Sequence, residues 1–340
     1  MAVSHDDDAM AELFISSLPL ETRSPPFPFR QYGGFWFSEP MLPGVLAAQA
    51  RFEARPSDVF LASFPKSDTT WLKALAFATA HRVDHPPGDP DHPLRHRNPH
   101  DCVELLELSF ALSPIKGGDV FAGLPSPRML ATHIPYSLVP ERITAEGFGC
   151  KIVYICRQPK DAFVSNWIFV KKMATKETCN GTPPAPFAIE QAFDLFCDGR
   201  CFGGPQWHHV ADYWEPELAG EEFMGCAFSA EEEAAGVVKD IIELCSIDAL
   251  KNLEVNKNGS QQWVKNEAFF RKGVSGDWSN HMTPAMAGRL DKIVEDALQG
   301  TGFSFADSRQ SAGRTHDHIQ GPRTQGHGAG HNLSMATQKI

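Results

Sequence analysis

DVFLASFPKSDTTWLKALAFATAH, residues 58–81, decides the fold. Its first part, DVFLASF (58–64), has the length and composition of a buried strand. Its last part, TTWLKALAFATAH (69–81), is too long for a strand and reads as an apolar helix. Pro65-Lys66-Ser67-Asp68 is therefore a strand-to-helix turn. Such a turn presents unpaired backbone N–H groups at the positive end of a helix dipole. Lys66 adds a full charge, and the hydroxyls of Ser67, Thr69 and Thr70 add donors. Pro65 to Trp71 thus holds a complete anion cradle. A polar turn with a Ser or Thr helix cap has the same composition, so the segment alone does not decide between them. GxxxxGK[ST] is absent, which excludes a Walker A loop.

Outward from this unit, strands and helices alternate. RMLATHI (128–134) and KIVYIC (151–156) read as further strands, and KDAFVSNWIFVKKM (160–173) as the helix after the second. Helical patterns follow at roughly 186–197, 206–218, 230–244 and 284–298. The order predicts an α/β fold, a central parallel sheet with helices on both faces. Residues 1–30 read as an irregular N-terminal arm and 31–305 as a single domain. Within them QYGGFWF (31–37) suits a loop or lid, although aromatic core filler is the commoner explanation, and DHPPGDPDHPLRHRNPH (84–100) suits a loop. Residues 306–340, rich in Gly, His, Gln and Ser, are expected to form a disordered tail.

The net charge of −11, with 42 acidic and 31 basic residues, argues against nucleic acid or an anionic membrane as partner. An anionic ligand would need a local basic pocket. The eight Cys include no CxxC pair, and the acidic start MAVSHDDDAM is unlike a secretory signal, so a cytoplasmic location with free thiols is expected. Cys197, Cys201, His208 and His209 lack zinc-module spacing. The GHGAGH of the tail (326–331) is at most a weak transition-metal binder, and no metal site is expected.

Three more segments carry candidate chemistry. His133 ends the second strand before a Pro turn, where an imidazole would reach a cleft at the sheet's edge and accept a proton near neutrality. It is one of fourteen His, so position alone is a weak argument. Arg157 follows KIVYIC, and Ser165 lies in the next helix; together they suit a phosphate, or Arg157 merely pairs with Asp161. Phe269 to Trp278 brings Arg271 and Lys272 beside Gly273, which is either an anion loop or a solvated charge pair.

FPKSxTTWLKAL resembles the 5′-phosphosulfate loop of the cytosolic sulfotransferases, and THIP, CRxPKDxxVS and RKGxxGDW follow in that family's order. NPH, ATHIPYSLVP and the QYGGFWF lead are similar to its plant members. The resemblance implies transfer of a sulfuryl group from 3′-phosphoadenosine 5′-phosphosulfate (PAPS) to a small hydroxylated acceptor, without a metal. It implies His133 as base and Lys66 as stabiliser of the leaving group. Ser67, Asp68, Thr69, Thr70 and Trp71 would complete the 5′ side. Arg157, Ser165, Arg271, Lys272 and Gly273 would hold the 3′-phosphate. Trp36 and Phe37 are candidate acceptor-pocket aromatics.

The chain also departs from the family. Asp68 replaces the usual Gly: as a helix N-cap it contributes about 1 kcal/mol, whereas about 4 Å from a phosphate it costs roughly 4 kcal/mol at a dielectric of 20. After Glu217-Leu218-Ala219-Gly220 the family's strand-and-helix stretch, reading like L-x-K-Y-E-D-M, is missing, and Glu221 to Cys226 resume beyond it. Its loss predicts unpaired backbone and an apolar gap, and no tyrosine here replaces the family's nucleotide-contacting one. The family's dimer motif is replaced at Ser279, Pro284 and Gly288, so a monomer is expected. A catalytically impaired sulfotransferase-like protein that binds nucleotide weakly or not at all is the alternative reading. A nucleotide kinase fits less well.

Overall fold

The computed structural model describes residues 5–113, 118–145, 147–175, 177–179, 181–214, 227–262, 264–305 and 332–337. A helix, α1 (His5–Ser17), opens the chain where an irregular arm was expected. The QYGGFWF segment is a hairpin: β1 (Phe29–Tyr32) pairs antiparallel with β2 (Phe35–Ser38) across Gly33-Gly34, both at positive φ. Phe35, Trp36 and Phe37 are all buried, so the segment is aromatic core filler and not a lid. Helix α2 (Leu42–Arg51) follows.

The predicted first unit forms as read. β3 (Val59–Ser63) is buried throughout, and α3 (Thr69–Ala80) begins where the turn ends. The 84–100 stretch contains two short helices, Pro93–His96 and Pro99–Cys102, each opened by Pro after a capping His or Asn. Helix α4 (Leu106–Leu112) leads towards β4 (Met129–Thr132). β5 (Lys151–Cys156) then enters α5 (Pro159–Met173). α6 (Ile189–Cys197), α7 (Gln206–Tyr213), α8 (Val237–Leu244) and α9 (Pro284–Leu298) complete the helical layers. Gly236 at φ 81° separates α8 from the short helix before it, so the 230–244 pattern is two helices.

The central sheet is parallel, in the order β4-β3-β5-β6, where β6 is Asn332–Thr337. Of the expected disordered tail, these are the described residues, and they form a strand. The 219–222 junction lies outside the described residues. Strand periodicity sends Phe60, Ala62, Leu130, Ile152 and Tyr154 into one apolar layer with α2, α4, α5, α6, α7 and α9. Leu61, Ala131, Val153 and Ile155 enter the other, against α3 and α8. The sheet is therefore covered on both faces. At its N-terminal edge the fully buried Arg128 binds Asp58 at 2.6 and 2.9 Å and Asp119 at 2.8 Å, tying the start of β3 to that of β4.

Candidate active site

Three sequence candidates lie just past the C-terminal ends of three adjacent strands: Lys66 after β3, His133 after β4 and Arg157 after β5. Open α/β sheets bind ligands at this edge, where strand order reverses. A cavity of about 540 Å³ opens there, lined among others by Lys66, Asp68, Thr69, Thr70, Trp71, His133, Arg157, Ser165, Arg271 and Gly273. Ser67 lies buried beneath the turn, and Lys272 stays outside, half exposed. Trp36 and Phe37 do not line it; both are buried in the hairpin's packing. The apolar lining comes instead from Phe27, Leu108, Phe169, Phe202 and Phe269.

The turn itself is tightly wound. Lys66 and Asp68 both take φ 65°, a conformation unusual outside glycine. Ser67 N–H donates to the Phe64 carbonyl at 3.1 Å, and the Ser63 and Thr69 hydroxyls meet at 2.6 Å. The Ser67 Oγ is buried with no hydrogen-bond partner. Lys66 Nζ sits 3.8 Å from the centroid of the Phe169 ring. Burial, with Arg157, Lys172 and Arg271 nearby, lowers its ammonium to about 7 against the pull of Asp68.

Asp68 does not cap α3, contrary to expectation: no side-chain cap bond forms. Its carboxylate turns to Arg157, whose Nη1 donates at 3.3 Å, while Nη2 donates to the Val274 carbonyl at 3.2 Å. A neighbouring guanidinium offers a carboxylate more than the neutral backbone N–H groups do. Burial still raises the Asp68 carboxyl, with Arg157 and Lys66 opposing it.

His133 is held by the protein at two points. Its Nδ1–H donates to the Ser63 carbonyl at 2.7 Å, which fixes the tautomer and leaves the Nε2 lone pair available. Its backbone N–H donates to Glu107 Oε1 at 2.8 Å, and Thr132 Oγ1 donates to Glu107 Oε2 at 3.0 Å. Burial drives the imidazole down to about 3, so it stays neutral. Glu107 is buried and raised to about 7, tempered by these hydrogen bonds.

The loop after Phe269 reaches the cavity through Arg271 and Gly273. Arg271 and Lys272 both bind the Asp277 carboxylate, Lys272 at 2.8 Å. Burial would raise Asp277, but Lys272, Asn280 and Arg271 hold it well below the usual carboxylate range. Arg271 Nη2 remains buried without a partner. Asp161 does not pair with Arg157; it accepts Gly276 N–H at 2.7 Å and Trp278 N–H at 3.2 Å, docking the loop on the start of α5. At Gly273, φ 66°, an added Cβ would lie 2.9 Å from Ile247 Cγ1.

Lys73, His100 and Glu107 were not picked out as site residues in the sequence. The buried Lys73 places its Nζ 3.0 Å from His100 Nδ1, and His100 Nε2 lies 3.0 Å from Thr70 Oγ1. Burial lowers Lys73 to about 7 and keeps His100 neutral. A lysine inside the apolar run WLKALA was the available signal. Glu107 had none, because an acid within VELLELSF (103–110) reads as part of a solvated helix face.

A family model described as the sulfotransferase domain matches residues 56–221 and 219–302. The chain belongs to the sulfotransferase family. Cytosolic sulfotransferase 17 of Arabidopsis thaliana is 41% identical over 312 residues, covering 84% of this chain and 86% of that protein. Cytosolic sulfotransferase 12 of the same plant is 39% identical, covering 88% and 96%. Among solved structures, an Arabidopsis thaliana putative steroid sulphotransferase aligns with a TM-score of 0.61 at 33% identity, covering 90% of this chain and 99% of that one. A mouse sulfotransferase complexed with PAP shares the fold, with a TM-score of 0.55 at 24% identity over 81% and 95% of the two chains. The two matched pieces of the sulfotransferase model meet at 219–221, the junction at which the sequence resemblance implies a missing stretch.

Proposed function

We propose that this sulfotransferase is a cytosolic enzyme that uses PAPS to sulfate a hydroxyl of a small apolar molecule, and that it acts as a monomer. The carrying observation is His133: its tautomer is locked by the Ser63 carbonyl, and it shares one cavity with Lys66, Arg157 and Arg271. The residues fit a bis-anionic nucleotide. Ser67 Oγ and Arg271 Nη2 are buried polar atoms without partners, one on the 5′ side and one on the 3′ side. Lys66, Ser67, Thr69 and Thr70 with the turn's N–H groups would hold the 5′ end, and Trp71 the base. Arg157, Ser165, Arg271 and Gly273 would hold the 3′-phosphate, with Lys272 at its rim.

The donor, when bound, supplies the sulfuryl group. His133 Nε2 orients the acceptor hydroxyl and takes its proton as the oxygen attacks. Lys66 meets the charge that develops on the leaving oxygen, and the anion it faces returns the ammonium to its charged form. The apolar side chains around Phe202 and Leu108 exclude water, which would otherwise compete as acceptor.

A second reading, impaired catalysis, is favoured by one observation: the Asp68 carboxylate already occupies Arg157. A thermal shift with 3′-phosphoadenosine 5′-phosphate, followed by labelled-sulfate transfer to a panel of phenols and steroids, separates the two. Stabilisation with transfer supports the enzyme. Stabilisation without any transfer supports the impaired form, and no stabilisation would remove the donor site itself.

A further inference from the structure

β5 carries Arg157 into the cavity, and its own sequence makes an open edge costly. Ile152 to Cys156 are all buried, and a buried strand without a neighbour leaves a row of N–H and C=O groups unpaired. The sulfotransferase match breaks at 219–221 and ends at residue 302. Yet the sheet has a neighbour for β5, and it comes from beyond the match. Asn332–Thr337 runs parallel to it in unbroken register, from Lys151 opposite Asn332 to Cys156 opposite Thr337.

We propose that Asn332–Thr337 is a replacement strand, covering the β5 edge in place of the stretch whose loss the sequence resemblance implies. The β5 edge is thus a strand-acceptor surface, and its occupant is this chain's own NLSMAT. The sequence suits the place: it has no charge, no Gly and no Pro, and its larger apolar residues, Leu333 and Met335, recur with a period of two. Pairing along all six residues also ends level with Cys156, one residue before Arg157. Through that contact the strand fixes the direction in which β5 delivers the guanidinium. The strand assignment rests on fold and register alone; only its effect on nucleotide affinity rests on the proposed donor site.

Hydrogen exchange on the full-length, nucleotide-free protein tests the strand. Amides in 332–337 that bond to β5 should exchange at least a hundredfold more slowly than an unstructured peptide; exchange at the unstructured rate overturns the proposal. Alternate residues of a strand turn their N–H groups to opposite sides, so a Ser334→Pro/Met335→Pro double variant must remove one bond to β5. It should lower Tm by about 3 °C or more and speed exchange in Ile152–Cys156, while Ser334→Thr/Met335→Val should do neither. Unchanged Tm and exchange in the proline variant would equally overturn the assignment. Affinity for 3′-phosphoadenosine 5′-phosphate, measured separately, should fall at least threefold in the proline variant. If Tm falls and affinity does not, the strand stands and its link to Arg157 is wrong.

Discussion

Asp68 shows how one side chain redirects a site. At φ 65° it occupies a backbone region that glycine adopts freely, and its carboxylate faces Arg157, Lys66 and Arg271, with Asp161 beyond. A phosphate brought to Arg157 must displace this internal anion or leave it protonated. Asp68→Gly is therefore expected to bind 3′-phosphoadenosine 5′-phosphate at least tenfold more tightly, about 1.4 kcal/mol, by calorimetry. Because its pKa is already raised and a neighbouring phosphate raises it further, binding by the natural chain takes up a proton. Lowering the pH should therefore favour binding by the natural chain more than binding by Asp68→Gly; equal pH dependence would refute the coupling. His133→Ala should lose turnover by about a hundredfold or more while nucleotide affinity changes less than threefold, since general-base catalysis contributes that much. Substantial residual turnover would place the base elsewhere. At this scale the sequence was legible where a residue type is rare in its setting, as with Lys66 in a turn. It was illegible where a partner is remote, as Arg157 is to Asp68.

Among elements, α2 packs closely against α4. A Cβ on Gly44 would lie 1.9 Å from the Glu107 carbonyl oxygen, so the helices touch backbone to backbone. That contact sets the position of the Glu107 carboxylate beneath His133. Gly44→Ala should cost about 1–3 kcal/mol in urea unfolding. It should also change kcat more than the KM for donor, because His133 moves while the phosphate ligands do not. A variant that unfolds easily but keeps its kcat would separate α2 packing from the site. The elements themselves were largely written in the sequence: β3, β4, β5, α3, α5 and α9 follow period and length rules. The strand pairing of the hairpin at 29–38 was not, although its aromatic residues pointed to core, because paired glycines fit a loop as well as a tight turn. The helix break at Gly236 escaped for a related reason, since the hydrophobic pattern runs straight across it.

For the whole molecule, burial of neutral histidines sets the acid limit. Burial lowers His92 and His209 to about 4 and His133 to about 3, so below about 6.5 the unfolded chain binds protons that the folded one refuses. Stability should therefore fall as pH drops from 6.5 towards 4.5. His100, lowered by burial as well, adds to the effect, and Glu107, raised to about 7 and so protonated in the fold, offsets one of these four histidines. Tm measured across this range in the nucleotide-free protein should decline on acidification; a flat profile would mean these rings are solvated. The α/β class and the edge on which the cavity opens were legible from strand–helix alternation. The sheet's fourth member was not, because its six residues lie in a segment whose composition reads as unstructured, and their pairing with the distant edge of β5 leaves no mark in that composition. That strand also carries a kinetic consequence. Lys151 must find Asn332 across more than half of the chain. Closing so long a loop adds little to the equilibrium cost, which grows only with the logarithm of length, but such distant pairings form slowly. During refolding the β5 edge is therefore the last to be covered, and until then it is open to strands from other molecules. Yield on refolding should accordingly depend on protein concentration more than the stability of the finished fold would suggest.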